Sequence, residues 1–174
     1  MNTRRQLILF ALIGTLGLAA GLGAAWWKLG AAASSGSHVL FTRSFPDTEG
    51  KEQPLDQWRG QVLVINFWAT WCPPCIREMP DLQKVADDYR DRGVQVIGLG
   101  IDNPTAIHAF QAQYQLRLPI LVAGFGGSEL SQQLGNASGA LPYTVLVDRQ
   151  GRIVQTRLGQ INPAELRRWI DQQI

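Results

Sequence analysis

The chain has 174 residues, of which 16 are basic and 14 acidic, and its formal net charge at pH 7 is +2. Three of the basic residues precede residue 30, so 13 basic and 14 acidic residues remain from His38 onward, a net charge of −1. A nucleic-acid-binding surface needs clustered basic charge, and this balance excludes one. After an apolar beginning, about 135 residues remain, which is the size of one domain with its own core.

An uncharged, apolar run opens the chain. Residues 7–27 are 21 consecutive residues without a charge. At about 1.5 Å per residue, a helix of that length crosses the roughly 30 Å hydrocarbon core of a bilayer. Arg4 and Arg5 precede the run and keep the N-terminus in the cytoplasm. The pattern predicts a single-pass membrane anchor over residues 1–29, with the rest of the chain outside the cytoplasm.

A cleaved signal peptide is the alternative interpretation of this segment. Ala31 to Ala33 offer the small residues of a cleavage site, but the apolar run exceeds the roughly 7–15 residues usual for a signal-peptide core. An uncleaved anchor is therefore favoured. Residues 30–38 are small and polar, as in a flexible linker, and the folded domain is expected over residues 39–174.

Strands and helices are predicted to alternate through this domain. The β-branched run 62–68 suits a buried central strand, and apolar residues every three or four positions after it indicate a helix that ends near Gly93. Asn103 followed by Pro104 predicts another helix start. The remaining elements are a hairpin over 41–60, a strand over 94–101, a short strand over 119–122, a short helix over 129–134, a hairpin over 143–158 and a last helix capped by Asn162. This order indicates an α/β fold with a mixed sheet.

Both cysteines of the chain, Cys72 and Cys75, lie where the first long helix is predicted to begin. The helix dipole and nearby N–H groups stabilise a thiolate there, and a thiolate is the species that attacks a disulfide. Cys72 can therefore form a mixed disulfide with a partner, which Cys75 can resolve. Pro73 and Pro74 remove two backbone donors and tune the reduction potential, in a direction that the sequence does not give.

Two other roles for the cysteine pair are weaker. A structural disulfide that closes so short a loop removes little chain entropy. A metal site needs further ligands, and the only histidines are His38, in the linker, and His108, in a predicted helix. Neither a metal nor a cofactor is expected.

The segment "VLVINFWATWCPPCIREMP", residues 62–80, resembles the active-site segment of TlpA/ResA-like proteins, and the likeness extends from about Val39 to the C-terminus. Such proteins are exported, usually membrane-anchored thiol-disulfide oxidoreductases. The resemblance implies a thioredoxin-like fold, in which helices flank a central mixed β-sheet, preceded here by the N-terminal transmembrane helix.

The resemblance also assigns residues around the cysteines. "GALPYTVLVD" is similar to the segment whose cis-proline faces the cysteines, which gives that place to Pro142 and leaves the Leu141 backbone to pair with an extended substrate. Trp71 is expected to cover the site or to contact a partner, while Trp68 is expected to pack inside.

Proton transfer is the last role that the motif suggests. Asn66 stands where cytosolic thioredoxins have a buried aspartate, and an asparagine cannot accept the proton of the buried cysteine. Glu78, about one helical turn after Cys75, occupies the place of a glutamate in ResA-like proteins and is expected to transfer that proton instead. An ordinary solvated carboxylate is the alternative.

The resemblance implies a reductase that acts on exported proteins with disulfides or cysteine pairs, such as apocytochrome c or the proteins that hold copper sites. Its electrons are expected from a transmembrane thiol carrier. A thioredoxin-fold peroxidase is one alternative, but Ala69 stands where peroxiredoxins have a threonine. A copper-binding assembly factor is another, but the spacing is Cys-x-x-Cys rather than Cys-x-x-x-Cys.

Overall fold

A mixed five-stranded β-sheet organises residues 38–174, the part of the chain that the computed structural model describes. Before the sheet, a small antiparallel hairpin forms from β1 (Ser44–Pro46) and β2 (Glu52–Pro54). The strands of the main sheet are β3 (Val62–Trp68), β4 (Val94–Gly100), β5 (Ile120–Val122), β6 (Tyr143–Val147) and β7 (Ile153–Leu158).

The spatial order of these strands is β5-β4-β3-β6-β7. The strands β3, β4 and β5 are parallel to one another, while β6 is antiparallel to β3 and β7 is antiparallel to β6. The predicted C-terminal hairpin is therefore confirmed, and it completes one side of the sheet. The mixed sheet confirms the predicted α/β fold class.

Four α-helices connect and cover the strands. They are α1 (Pro73–Tyr89), α2 (Pro104–Gln113), α3 (Gly124–Gln133) and α4 (Pro163–Asp171). Short 3-10 turns cover Leu55–Trp58 and Arg90–Arg92.

The helices α2 and α4 begin in the same way, as their sequences predict. The side chain of Asn103 accepts a hydrogen bond from the Ala106 N–H at 2.9 Å, and Asn162 accepts one from the Ala164 N–H at 2.8 Å. Each capping asparagine is followed by a proline, which needs no hydrogen-bond partner at the first helical position. Local sequence therefore determines where both helices start.

Every residue of β3 is buried, since the strand has a hydrophobic layer on both faces. Val62, Val64 and Trp68 belong to the layer that includes α1, α2 and α4. Leu63, Ile65 and Phe67 belong to the other layer, which includes α3 and the β1–β2 hairpin. Because side chains alternate along a strand, Asn66 faces the same side as Val64 and Trp68. This side is the one that α1 covers.

The helix α3 is longer than its sequence indicates. The sequence predicts a helix only over 129–134, whereas α3 also includes the run Gly-Phe-Gly-Gly at 124–127, which has poor helix propensity. A side chain at Gly127 would bring its Cβ within 2.6 Å of the Ala123 Cβ and within 3.2 Å of Ile101. Glycine is thus required for close packing, and the tertiary contact overrides the local preference.

The predicted membrane anchor, residues 1–29, and all but the last residue of the predicted linker lie outside the described residues. From residue 38 onward, no helix has both the length and the apolar character that a membrane crossing needs.

Candidate active site

Cys72 and Cys75 form a disulfide at the beginning of α1, with an S–S distance of 2.06 Å and a Cα–Cα distance of 5.3 Å. Cys72 is the capping residue before the helix and Cys75 lies in its first turn. Both pack in the buried layer that includes Trp68 and Met79. Cys72 keeps 4% of its surface exposed and Cys75 keeps none. In this oxidised form Cys72, the expected nucleophile, is thus nearly covered, although it is the more exposed residue of the pair.

Few backbone donors are free at the start of α1. An ordinary helix presents four unpaired N–H groups at its N-terminus. Here Pro73 and Pro74 have none, and the Cys72 N–H donates to the Ala69 carbonyl at 3.2 Å. The helix dipole still favours a negative charge on Cys72. Direct hydrogen bonding to a thiolate at this position is, however, weaker than at most helix starts.

Glu78 is buried, with 1% of its surface exposed. Its Oε1 accepts a hydrogen bond from the Asn66 side-chain amide at 2.8 Å, and its Oε2 accepts one from the Ile161 N–H at 2.9 Å. Burial raises the pKa of this carboxyl to about 6, because the charged form loses its hydration, and the two hydrogen bonds oppose the shift. The alternative of a solvated surface carboxylate is therefore wrong.

Asn66 connects Glu78 to the neighbouring strand. Its amide nitrogen also donates to the Thr144 hydroxyl at 3.1 Å, and Thr144 lies directly opposite Asn66 in the pairing of β3 with β6. The Asn66 Oδ1 is buried and has no hydrogen-bond partner among residues 38–174. A polar group of this network thus remains available inside the protein.

The peptide bond between Leu141 and Pro142 is cis, as expected. Tyr143, the next residue, pairs with Phe67 near the carboxyl end of β3. Pro142 therefore lies at the same end of the strands as the cysteine segment. The Pro142 carbonyl accepts the Gly159 N–H at 2.8 Å. Within the described part of the chain, the Leu141 N–H and carbonyl have no partner. They are available to an extended peptide.

The two tryptophans of the motif have opposite environments. Trp68 is fully buried, and its ring centroid lies 4.9 Å from that of Phe110. Trp71, one residue before Cys72, is 66% exposed. Packing of Trp68 confirms its expected structural role. Trp71 presents a large apolar surface to solvent beside the disulfide.

A family model described as Redoxin matches residues 30–170. The chain belongs to the redoxin family. Thiol-disulfide oxidoreductase ResA of Bacillus thuringiensis subsp. konkukian (strain 97-27) is 32% identical to this redoxin over 125 residues, which cover 71% of this chain and 70% of the relative. This redoxin is a ResA-like thiol-disulfide oxidoreductase, which confirms the resemblance that its cysteine segment indicated.

Two solved structures share the fold of this redoxin. The MTB protein dsbF has a TM-score of 0.68 and 23% identity, and the match covers 78% of this chain and 97% of that one. StoA from Bacillus subtilis has a TM-score of 0.61 and 24% identity, with 73% of this chain and 94% of that one covered. The predicted thioredoxin-like arrangement is thus confirmed for the described domain.

Sequence reasoning missed two partners of this redoxin's buried carboxylate network. Thr144 lies on β6, a strand that otherwise consists of Tyr143 and aliphatic residues, and this short polar side chain was the only available signal. Ile161 contributes a backbone N–H, for which a side-chain pattern gives no signal. His108 is exposed on α2, and residues 38–174 contain no group of three or more His, Cys, Asp or Glu side chains arranged for a metal.

Proposed function

We propose that this redoxin is a reductase that exchanges disulfides with exported proteins through Cys72 and Cys75. The observation that carries the proposal is Glu78, a buried carboxyl one helical turn from Cys75 whose pKa lies near 6. A group that titrates near neutral pH is suited to move a proton during exchange.

The reaction has two sulfur-transfer steps. The Cys72 thiolate attacks one sulfur of the substrate disulfide, so that a mixed disulfide forms and the other substrate sulfur leaves as a thiolate. Cys75 then attacks the Cys72 sulfur, which releases the second substrate thiolate and closes the Cys72–Cys75 disulfide. The substrate disulfide gains two electrons, and the cysteine pair of this protein loses them.

Glu78 handles the proton of the resolving cysteine. Cys75 is completely buried, so its thiol must lose a proton away from bulk solvent. Side chains three residues apart on a helix are neighbours, and the ionised Glu78 can therefore accept that proton. The hydrogen bonds from Asn66 and Ile161 hold the carboxylate in a fixed orientation. Its raised pKa keeps it a useful acid and base at neutral pH.

The start of α1 supports the reducing direction. A strongly stabilised nucleophilic thiolate favours the reduced form of the pair, as in the strong oxidant DsbA, whose reactive cysteine has a pKa of about 3.5. Pro73 and Pro74 remove two of the N–H groups that provide such stabilisation. The thiolate of Cys72 is thus less favoured, and the pair gives up its electrons more readily.

Substrate contact is assigned to the exposed groups around the disulfide. The free N–H and carbonyl of Leu141, next to Pro142, can pair with an extended segment of the substrate. The exposed ring of Trp71 can pack on apolar side chains that flank the target disulfide. These contacts orient the substrate sulfur toward Cys72.

The location and partners follow from the sequence and the resemblance. Residues 1–29 anchor the protein in the inner membrane, residues 30–38 are the linker, and the domain over 39–174 works on the periplasmic side. Since that compartment is oxidising, a transmembrane thiol carrier must return two electrons to the Cys72–Cys75 disulfide after each cycle. Cytochrome c biogenesis or the maturation of copper sites supplies the exported substrates.

Two measurements test this function. The reduction potential of the Cys72–Cys75 pair should lie near that of thioredoxin, about −270 mV, whereas a value near about −120 mV would make the protein an oxidant. Cys75→Ser should accumulate mixed disulfides with exported proteins through Cys72. If Cys72→Ser captured the same partners instead, the order of attack would be reversed.

A further inference from the structure

The turn that carries the cysteine motif is held by a carboxylate from the neighbouring strand connection. The strand β3 ends at Trp68 and Cys72 precedes α1, so residues 69–71 connect them. The Cys72 N–H donates to the Ala69 carbonyl at 3.2 Å, which closes the turn. Thr70 lies in the middle of this turn, is half-buried and directs both its N–H and its hydroxyl toward Asp102.

Asp102 follows the end of β4 and accepts four hydrogen bonds. Its Oδ2 accepts from the Thr70 N–H at 3.2 Å and from the Thr70 hydroxyl. Its Oδ1 accepts from the backbone N–H of Asn103 at 2.7 Å and from the Asn103 side-chain amide at 3.1 Å. Asn103 is also the residue that caps α2. The carboxylate is thus fixed at the start of one helix and holds the turn that leads into another.

A backbone hydrogen bond also joins the segment that follows β3 to the segment that follows β4. The Ile101 N–H donates to the Trp68 carbonyl at 2.7 Å, one residue before Asp102 and two residues before Thr70. Hydrogen bonds to an ionised acceptor are stronger than those between neutral groups, and a half-buried position reduces competition from water. The connection from β3 to α1 therefore has little freedom to move relative to β4.

We propose that Asp102 and Thr70 are positioning residues for disulfide exchange, because they fix the turn that presents Cys72 to the substrate. The inference rests on the proposed function, in which Cys72 is the attacking residue. Attack on a disulfide requires the incoming sulfur to align with the sulfur–sulfur bond, and small misplacements of a reacting group slow a reaction strongly. The orientation of Trp71, which lies between Thr70 and Cys72, depends on the same turn.

The charge of Asp102 and its hydrogen bonds have opposite effects on the reactivity of Cys72. The hydrogen bonds align the sulfur for attack, whereas the charge opposes its ionisation. A nearby negative charge disfavours a thiolate, so removal of the carboxylate favours ionisation of Cys72. The test must therefore separate the alignment of the sulfur from its ionisation. At a pH where the thiol is fully ionised, the rate depends on alignment and on the nucleophilicity of the thiolate, which falls as the thiol pKa falls. Thr70→Val keeps the charge of Asp102, so its plateau reports the alignment.

The experiment follows the reaction of the reduced protein with a hexapeptide that is closed by one disulfide. The peptide is in excess, and the pH series extends until the rate reaches a plateau. Thr70→Val and Asp102→Ala should each lower the plateau rate constant about tenfold or more. Thr70→Ser keeps the hydroxyl and should restore the rate of the wild-type protein. The double variant Thr70→Val/Asp102→Ala should be no slower than Asp102→Ala alone, because the Thr70 hydroxyl has no partner once the carboxylate is removed.

Two matched controls remove a similar group elsewhere. Thr105→Val removes an exposed hydroxyl and Asp56→Asn an exposed carboxylate, and neither side chain has a hydrogen-bond partner in the described part of the chain. Both should leave the plateau unchanged. Should Thr70→Val prove unable to fold, Asp102→Asn gives the answer, because its amide oxygen still accepts from Thr70 while its nitrogen opposes the Asn103 N–H. An intermediate plateau is expected for it.

An unchanged or raised plateau in both Thr70→Val and Asp102→Ala would overturn the inference. Mass spectrometry of the peptide adduct in a Cys75→Ser background separates this result from a failure of the proposed function. If the peptide attaches to Cys72 and the plateau rate constant is unchanged in Thr70→Val and Asp102→Ala, only the positioning role is wrong. If the wild-type protein does not react with the peptide at all, the proposed function is wrong as well.

Discussion

The side-chain amide of Asn66 donates a hydrogen bond to the Glu78 carboxylate at 2.8 Å, and both residues are buried. This contact joins β3 to α1 beside the disulfide. The amide stabilises the ionised carboxylate, whereas burial favours the protonated form, and burial is the larger effect. The result is a carboxyl with a pKa of about 6, which changes protonation close to neutral pH.

Glu78→Gln should slow disulfide exchange and remove from the pH–rate profile the group that titrates near 6. The fold should survive, because the Asn66 amide can rotate and present its unpaired Oδ1 to the new glutamine. The measurement is the rate of exchange with a small disulfide across the pH range. Asp81→Asn is the control, because it changes a carboxylate on the same helix whose side chain is 41% exposed and paired with Lys84. Equal pH profiles for Glu78→Gln and the wild-type protein would exclude Glu78 from proton transfer.

The free energy of unfolding of the oxidised protein should fall as the pH rises from about 4.5 to about 6. The pKa of Glu78 is 4.5 when the chain is unfolded and about 6 when it is folded, so the folded state binds the proton more tightly. The stabilisation is complete below 4.5, and roughly 2 kcal/mol is lost above the folded pKa. Urea unfolding at a series of pH values measures this slope, and Glu78→Gln should lack it.

Other carboxylates affect the free energy of unfolding over a different pH range. The pKa values of Asp47 and Asp87 lie below their ordinary value of 3.8, because each accepts hydrogen bonds. Their contribution is therefore present above 3.8 and is lost as the pH falls further. A loss of stability between 4.5 and 6 that persisted in Glu78→Gln would assign the slope to another group.

Asn66→Asp should destabilise the wild-type protein and rescue Glu78→Gln. Alone, it places two carboxyl groups in hydrogen-bond contact, and like charges at this distance cannot both ionise without a cost of about 2 kcal/mol or more. In the double variant the positions of amide and acid are exchanged: the new glutamine can donate to the new aspartate and still accept from the Ile161 N–H, while the Thr144 hydroxyl can donate to the aspartate.

Urea unfolding and exchange rates on the two single variants and the double variant form a complete cycle. We expect Asn66→Asp/Glu78→Gln to be more stable than Asn66→Asp and faster in exchange than Glu78→Gln. Additive losses in stability and rate would show that the two residues do not act as a pair.

Trp71→Ala should reduce exchange with protein substrates but not with a small disulfide. The ring is 66% exposed, so its loss should change the free energy of unfolding by about 0.5 kcal/mol or less. An aromatic contact at an interface contributes about 1 kcal/mol or more, which corresponds to roughly a fivefold lower rate at limiting substrate. Phe125→Ala is the matched control, because Phe125 is 89% exposed on α3, away from the cysteine turn in sequence. An equal loss of rate with protein substrates and with the small disulfide would indicate that Trp71 acts in the exchange reaction itself rather than in substrate binding.

A reporter fused after Ile174 should be active only outside the cytoplasm, and the protein should stay with membranes through salt and alkaline washes. The basis is the uncharged run over 7–27 and the arginines that precede it. Cell fractionation with immunoblotting checks both points. A shortened, soluble form that begins near Ser34 would establish a cleaved signal peptide in place of the anchor.

The sequence by itself determined the features that depend on neighbouring residues. Asn103 and Asn162 start their helices through bonds to residues two or three positions later, and the buried strand β3 is visible as one apolar run. The redox chemistry was also local, because Cys72 and Cys75 are three residues apart at a helix start. Such features need no knowledge of the rest of the chain.

Only the tertiary structure decided the state of Glu78 and the contacts of Thr70. The sequence left Glu78 open between a proton carrier and a solvated carboxylate, because burial depends on elements that fold over it from elsewhere. One of its hydrogen bonds comes from Ile161, 83 positions along the chain, and Thr70 meets Asp102 across 32 positions. The pKa of a carboxyl depends on lost hydration and on hydrogen-bond donors from distant parts of the chain, and neither can be predicted from the residues adjacent in sequence.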